Sequence, residues 1–144
     1  MTTTGLEVFD TTTQKTMLWL KEIDEEVGWE DKERHHAYQA LRACLHQLRD
    51  RLSLDEMAHL GAQLPLLVRG VYYEGWDPSA PRPGRGADDF INGVIQEATW
   101  QPDYDYEAIA RACLRVLSRH IDAGMVKHMR GVVPHGIREL WPEP

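Results

Sequence analysis

The residues able to do chemistry in this chain are seven histidines, two cysteines and a surplus of carboxylates. Glu56 and His59 have the Glu-x-x-His spacing by which facing helices of di-metal carboxylate bundles hold their metals. His128 lies 69 residues after His59, but Met125 stands where a second Glu56 would be needed, and it cannot supply the paired carboxylate. Glu56 also follows Ser53 by three residues, the place of a capping partner. Glu56, His59 and His128 are therefore secondary candidates, and no metal or other cofactor is assigned. His35 and His36 adjoin and point apart on a helix, while His46, His120 and His135 have no obvious carboxylate partner in sequence. The histidines read as surface or boundary residues. The acidic group Asp24, Glu25, Glu26, Glu30 and Asp31 lacks regular ligand spacing and reads as a solvated face. Cys44 and Cys113 would need a nearby base and partial exposure to act as nucleophiles. Both fall on helical apolar stripes, where cysteine behaves as a small buried hydrophobe, and a bridge between them would require an oxidising compartment. Gly84-Arg85-Gly86 lies among prolines and follows no strand, so it is not a phosphate loop. No catalytic residue is assigned.

Binding is better represented. Arg69 and Arg138 each follow a proline by four residues in an apolar setting, where an arginine needs a fixed carboxylate or carbonyl partner. The structural reading is a bridge tying a short last helix to the bundle; the functional one is an anion or ligand site near an internal axis. Tyr72, Tyr73 and Trp76 beside Arg69, Arg82 and Arg85 combine the side-chain types that dominate binding hot spots. These six are the candidate partner-binding residues.

The elements that must position them are written twice. Arg42-Ala43-Cys44-Leu45 recurs as Arg111-Ala112-Cys113-Leu114, and the same offset of 69 carries Leu48 onto Leu117, Leu52 onto Ile121, Pro65 onto Pro134 and Arg69 onto Arg138. Trp29 and Trp100 stand 71 apart, which places two extra residues in a loop of the first copy. Met1–Asp10 is threonine-rich and expected as a loose arm. A first helix is expected from Thr11, with Thr11 and Gln14 as a capping box, to Gly28. A second runs from about Asp31 or Lys32 to about Leu52, with Tyr38, Leu41, Leu45, Leu48 and Leu52 on one face. Ser53 and Glu56 then form a capping box for a third helix, whose stripe of Met57, Leu60, Leu64, Leu67, Val68 and Val71 must break at Pro65. After the Pro/Gly-rich stretch from Glu74 to Ala87, the second copy begins at Asp88 and Asp89, is capped at Asp103 or Asp105 and again at Asp122, and breaks at Pro134. The expected fold is an all-α, single-domain helical bundle of two tandem three-helix repeats related by a pseudo-twofold axis. Repeat one covers about 11–76, the linker about 77–87 and repeat two about 88–142.

A net charge of −7 works against nonspecific binding to nucleic acid, whose phosphates need a basic footprint. The start lacks the basic residues and apolar run of a signal peptide, and no apolar run approaches the roughly 20 residues of a membrane span. A cytoplasmic chain without nucleic-acid or membrane partners is expected, acting on an unidentified protein partner and compatible with a homodimer.

The run Ala40-Leu41-Arg42-Ala43 with Leu48-Arg49-Asp50-Arg51-Leu52, then His59-Leu60-Gly61-Ala62-Gln63-Leu64-Pro65 and Arg69-Gly70-Val71-Tyr72-Tyr73-Glu74-Gly75-Trp76, resembles the bacterial domain-of-unknown-function family numbered 2267. The likeness extends over about Thr11 to Pro142 and includes Arg138-Glu139-Leu140-Trp141-Pro142. It implies a small all-helical protein in a stress-associated setting and brings no reaction or catalytic residue with it. Two functions are carried forward: a non-enzymatic interaction module, and a metal- or ligand-dependent bundle using Glu56, His59 and His128 or Arg69 and Arg138.

Overall fold

The computed structural model of the chain describes residues 4–30, 34–98 and 103–143, and the described residues form eight helices and no strand. They are α1 (Glu7–Val27), α2 (Arg34–Arg49), α3 (Leu54–Ala62), α4 (Leu66–Tyr73), α5 (Ala87–Ala98), α6 (Tyr106–His120), α7 (Ala123–Val132) and α8 (His135–Leu140). The core is centred on α2 and α6, which pack on each other. Small residues make that approach close: Ala37, Ala40, Ala43 and Cys44 on α2, and Ala110, Ala112 and Cys113 on α6, are all buried. Leu41, Leu45 and Leu48 of α2 and Leu114 and Leu117 of α6 extend the core outward, each contributing roughly 1.5–3 kcal/mol by leaving water. The outer helices are exchanged between the halves of the chain: α1 packs on α6 as well as on α2, and α5 packs on α2 as well as on α6. The short helices close the ends, α4 on α1 and α2, and α8 on α5 and α6.

Several boundaries differ from the sequence-based expectation for identifiable reasons. The first helix begins at Glu7, so Glu7–Asp10 is helix rather than arm, and its N-cap residue Leu6 makes no side-chain cap. The threonines serve the helix interior instead: the Thr12 hydroxyl accepts the Leu67 amide at 2.8 Å, and the Thr16 hydroxyl donates to the Thr12 carbonyl at 2.7 Å. Gly28 ends α1 at φ 91°, a left-handed conformation that glycine adopts without strain. The expected starts of the second helix at Asp31 or Lys32 lie outside the described residues, as does Trp100. That helix stops at Arg49, not Leu52, because the amides of Arg51 and Leu52 turn back to the Leu48 and Arg49 carbonyls, a tightened last turn. Tyr38 is 37% exposed and Leu67 43%; the burial expected of Tyr38 falls to Ala37 and Ala40. Ser53 and Glu56 form the reciprocal capping box. Asp105 caps α6 by accepting the Ala108 amide at 3.0 Å. Asp122, at the corresponding place before α7, makes no side-chain cap; its own amide donates to the Gln63 side chain at 2.7 Å.

Candidate functional site

The aromatic segment is divided by the structure. Tyr72 is fully buried, its hydroxyl donating to the Met57 carbonyl at 2.9 Å, and burial pushes its phenol well above the ordinary value. Tyr73 is half-buried and meets the Tyr72 ring edge-on at 4.9 Å. Trp76 is 37% exposed, and Arg82 and Arg85 are exposed. Trp76 and Arg82 line a hollow of about 120 Å³ together with Arg49, Leu54, Met57 and Pro81. Arg85 is not part of it.

The guanidinium of Arg69 is turned inward, donating to the carbonyls of Gly61, Ala62 and Leu64 at 2.8, 3.3 and 2.9 Å. Arg138 does the same toward the Arg130 and Gly131 carbonyls. Both close the free carbonyls at the end of a preceding helix, α3 or α7, where a cation also complements the helix dipole. Of the metal candidates, Glu56 and His128 face one another at 4.0 Å, and His59 is exposed and does not join them. Among the described residues no group of three ligand-type side chains converges. Cys44 and Cys113 are free and buried, and the neighbouring Cys113 thiol together with burial raises Cys44 well above its ordinary range, which keeps it a thiol.

A polar joint that the sequence reading missed lies beside this segment. His46, expected as a surface or boundary residue, is buried at 4% exposed. Its Nδ1 lies 2.5 Å from Glu97 Oε2 of α5, and its Nε2 lies 2.6 Å from the Val71 carbonyl of α4. Arg42, one turn earlier, donates to the same Glu97 at 3.0 Å and to Glu74 at 2.8 Å. The Arg42 guanidinium holds the Glu74 carboxyl below the usual range, and Glu74 in turn raises Arg42. Arg49, two turns from Arg42, is 5% exposed and donates to the Tyr72 and Glu74 carbonyls, both at 2.9 Å. The signal was present in the sequence: Arg42, His46 and Arg49 stand at i, i+4 and i+7, one polar stripe on an otherwise buried helix. Two other histidines also have carboxylate partners that were not anticipated, His120 with Glu22 at 2.9 Å and His135 with Glu139 at 3.0 Å, the latter an i, i+4 pair.

The joint anchors the chain as it leaves α4. With Val71, Tyr72 and Glu74 each held from α2, Trp76 emerges two residues beyond a fixed point. The linker that follows is also tied down: the Asp77 carboxylate accepts the amide and hydroxyl of Ser79, which lower its titration, and Arg51 donates to the Gly84 carbonyl at 2.8 Å. None of the helices among the described residues is long and apolar enough to cross a membrane.

No curated protein matches the chain. Residues 16–140, which reach into all eight helices, match the family described as "Uncharacterized conserved protein (DUF2267)", and the chain belongs to that family.

Proposed function

We propose that the chain is a cytoplasmic, non-enzymatic interaction module made of two tandem three-helix repeats in one domain, about 11–76 and 88–142 around the linker 77–87. The repeat is supported by matched contacts. The exchange of α1 onto α6 has its counterpart in α5 onto α2. Glu26 of α1 holds Arg115 of α6 at 2.6 Å, and Glu97 of α5 holds His46 of α2; Glu97 stands 71 residues after Glu26, and Arg115 stands 69 after His46. His120 stacks on Trp19 at 4.9 Å, and Arg51 lies over Phe90 at 5.4 Å, at the same two offsets. Arg69 on Gly61 and Arg138 on Arg130 form a third pair, 69 apart at both ends. A pseudo-twofold axis between α2 and α6 accounts for all three, and the gaps at Pro65 and Pro134 fall at equivalent places.

The observation that carries the binding reading is Trp76, exposed beside Arg82 over a hollow and presented from an anchored backbone. An aromatic ring carried on a pre-ordered backbone loses little entropy on binding. Trp76, Arg82 and Arg85 make the contacts, Tyr73 flanks them, and Arg69 and Tyr72 act by holding the segment. The partner is a protein segment offering an apolar side chain to Trp76 and Leu54 and carboxylates to Arg82 and Arg85. The groups most like catalytic ones, His46 and Cys44, are engaged inside the protein, which favours binding over catalysis. The stress-associated setting rests on family resemblance alone. The test is an array of acidic peptides each bearing one aromatic or leucine, probed with the full chain. Binding that Trp76→Ala and Arg82→Glu each weaken about tenfold or more supports the reading; no binding, or binding indifferent to both changes, overturns it.

A further inference from the structure

One side of α1 carries a stripe that nothing among the described residues covers. Val8, Thr11, Lys15 and Leu18 follow at steps of three, four and three residues, the spacing of a helix–helix seam. Val8 is 54% exposed and Leu18 45%, while the core-facing residues of the same helix, from Thr12 to Ile23, are buried. Leu66, at the start of α4, is 49% exposed beside them. Two hollows of about 580 and 550 Å³, sharing Lys15, Pro65 and Leu66, run end to end along this side. An exposed strip with apolar ends at Val8 and Leu18 and the apolar Leu66 beside it, rimmed by charge, marks an interface on a protein surface.

The charges say what covers it. Glu7 and Lys21 lie at opposite ends of the stripe and flank it on the same side, the side away from α1's buried face. Both are exposed, and neither side chain has an ion pair or hydrogen bond among the described residues. If α1 lies antiparallel against α1 of a second copy, with the twofold axis through the middle of the stripe, Val8 of each copy meets Leu18 of the other. Glu7 then meets Lys21, twice by symmetry. Lys15 crosses Thr11 of the second copy, burying its aliphatic stem while its ammonium stays wet. A parallel pairing would set Lys15 on Lys15 within the seam and Glu7 and Lys21 on opposite sides of it from their copies, where Glu7 and Lys21 do not meet. The stripe matches itself in one orientation only. We propose that the chain forms an isologous dimer through α1, with Leu66 of α4 as the shoulder of the contact. Two helices, roughly 20 Å of seam and one shoulder per copy make an interface at the small end of stable contacts, so the dimer is reversible with a dissociation constant in the micromolar range. The inference is independent of the Trp76 surface.

Sedimentation velocity of the full chain across micromolar to millimolar concentrations tests it. The wild type should show a concentration-dependent monomer–dimer equilibrium. Val8→Asp and Leu66→Glu should each weaken it about tenfold or more while leaving the helical circular dichroism and melting of the monomer unchanged, since both side chains are exposed. Glu7→Lys and Lys21→Glu should each weaken it, and the double variant should recover. Trp76→Ala should have no effect on it. A wild type that stays monomeric throughout, or a dimer indifferent to Val8→Asp and Leu66→Glu, overturns the proposal. Failure of the charge exchange to recover overturns the antiparallel seam.

Discussion

Gly136 should not tolerate a methyl group, although it sits in a helix where alanine is the better former. A Cβ built there would lie 2.4 Å from the Ala87 nitrogen, 2.8 Å from the Gly86 carbonyl carbon and 2.9 Å from the Gly86 Cα. All three are backbone atoms, at the point where the linker enters α5, so no rotamer change relieves the contact. Neither side can retreat cheaply. Asp89 accepts the Gly86 amide at 3.1 Å, Phe90 pins α5 in the core and Ile137 pins α8, both fully buried. Helix propensity favours alanine by about 1 kcal/mol, whereas overpacking costs about 1–3 kcal/mol. With backbone on the far side the cost lies toward the upper end of that range, for a net loss of about 1–2 kcal/mol. That corresponds to a fall in Tm of roughly 3–8 °C for a chain of this size. Gly70, in α4 with open space where its Cβ would go, is the control, and Gly70→Ala should gain about 0.4–1 kcal/mol. Urea denaturation followed by circular dichroism measures both. A Gly136→Ala variant as stable as Gly70→Ala would refute the close approach of α8 to the start of α5.

Other outcomes follow from the caps and the joints. Ser53→Ala should cost about 1 kcal/mol in urea unfolding, whereas Asp122→Ala should cost little because its side chain caps nothing; equal losses would contradict the capping assignments. The guanidinium of Arg119, and then that of Arg115, hold the Glu26 carboxyl below the usual carboxylate range. A folded value below the unfolded one means that the stabilisation is complete above the unfolded value, about 4.3, and lost as pH falls through the folded value. Glu26→Gln should therefore trail wild type at neutral pH by less than about 1 kcal/mol, since both arginines are more than a third exposed and screened; a gap that widens below pH 4 would be the wrong sign. Glu97→Ala should cost more than Glu26→Ala, about 2–3 kcal/mol, because it strands His46 in the interior; that is short of the 3–5 kcal/mol of a fully buried pair, since Glu97 is itself partly exposed. Reversal of that order would remove the joint from any structural role.

What the sequence disclosed was local. The stop of α1 at Gly28, the Ser53–Glu56 box and the Asp105 cap each depend on residues within four positions of one another, and all three are in the structure. The start of α1 was misread because threonine hydroxyls have two uses: Thr11 and Gln14 have cap spacing, but Thr12 and Thr16 bond α4 and the helix itself. Tyr72 looked like a binding ring by type, and only packing shows that its hydroxyl is satisfied at Met57 in the core. The His46 joint was hidden by distance, since Glu97 is 51 residues away and sequence adjacency offers His46 no carboxylate.

The exchange of first helices connects these results. On the proposed repeat, the two offsets show which residues correspond but not which half each first helix packs on. With α1 on α6 and α5 on α2, the carboxylates near the ends of the first helices meet basic side chains on the second helix of the other half: Glu26 meets Arg115 and Arg119, and Glu97 meets Arg42 and His46. The acidic cluster at the end of α1, which lacked ligand spacing, supplies its side of that contact through Glu26. The linker has a matching task, because it must carry the chain from α4 to α5, both of which pack on α2. Its prolines and glycines, with Arg51 holding Gly84 and Asp89 holding Gly86, fix that crossing. Trp76 lies at its first bend, where the Trp76 amide returns to the Tyr73 carbonyl at 3.1 Å. The exposed ring is thus a consequence of how the halves are joined, and any partner that grips Trp76 also grips the crossing between them.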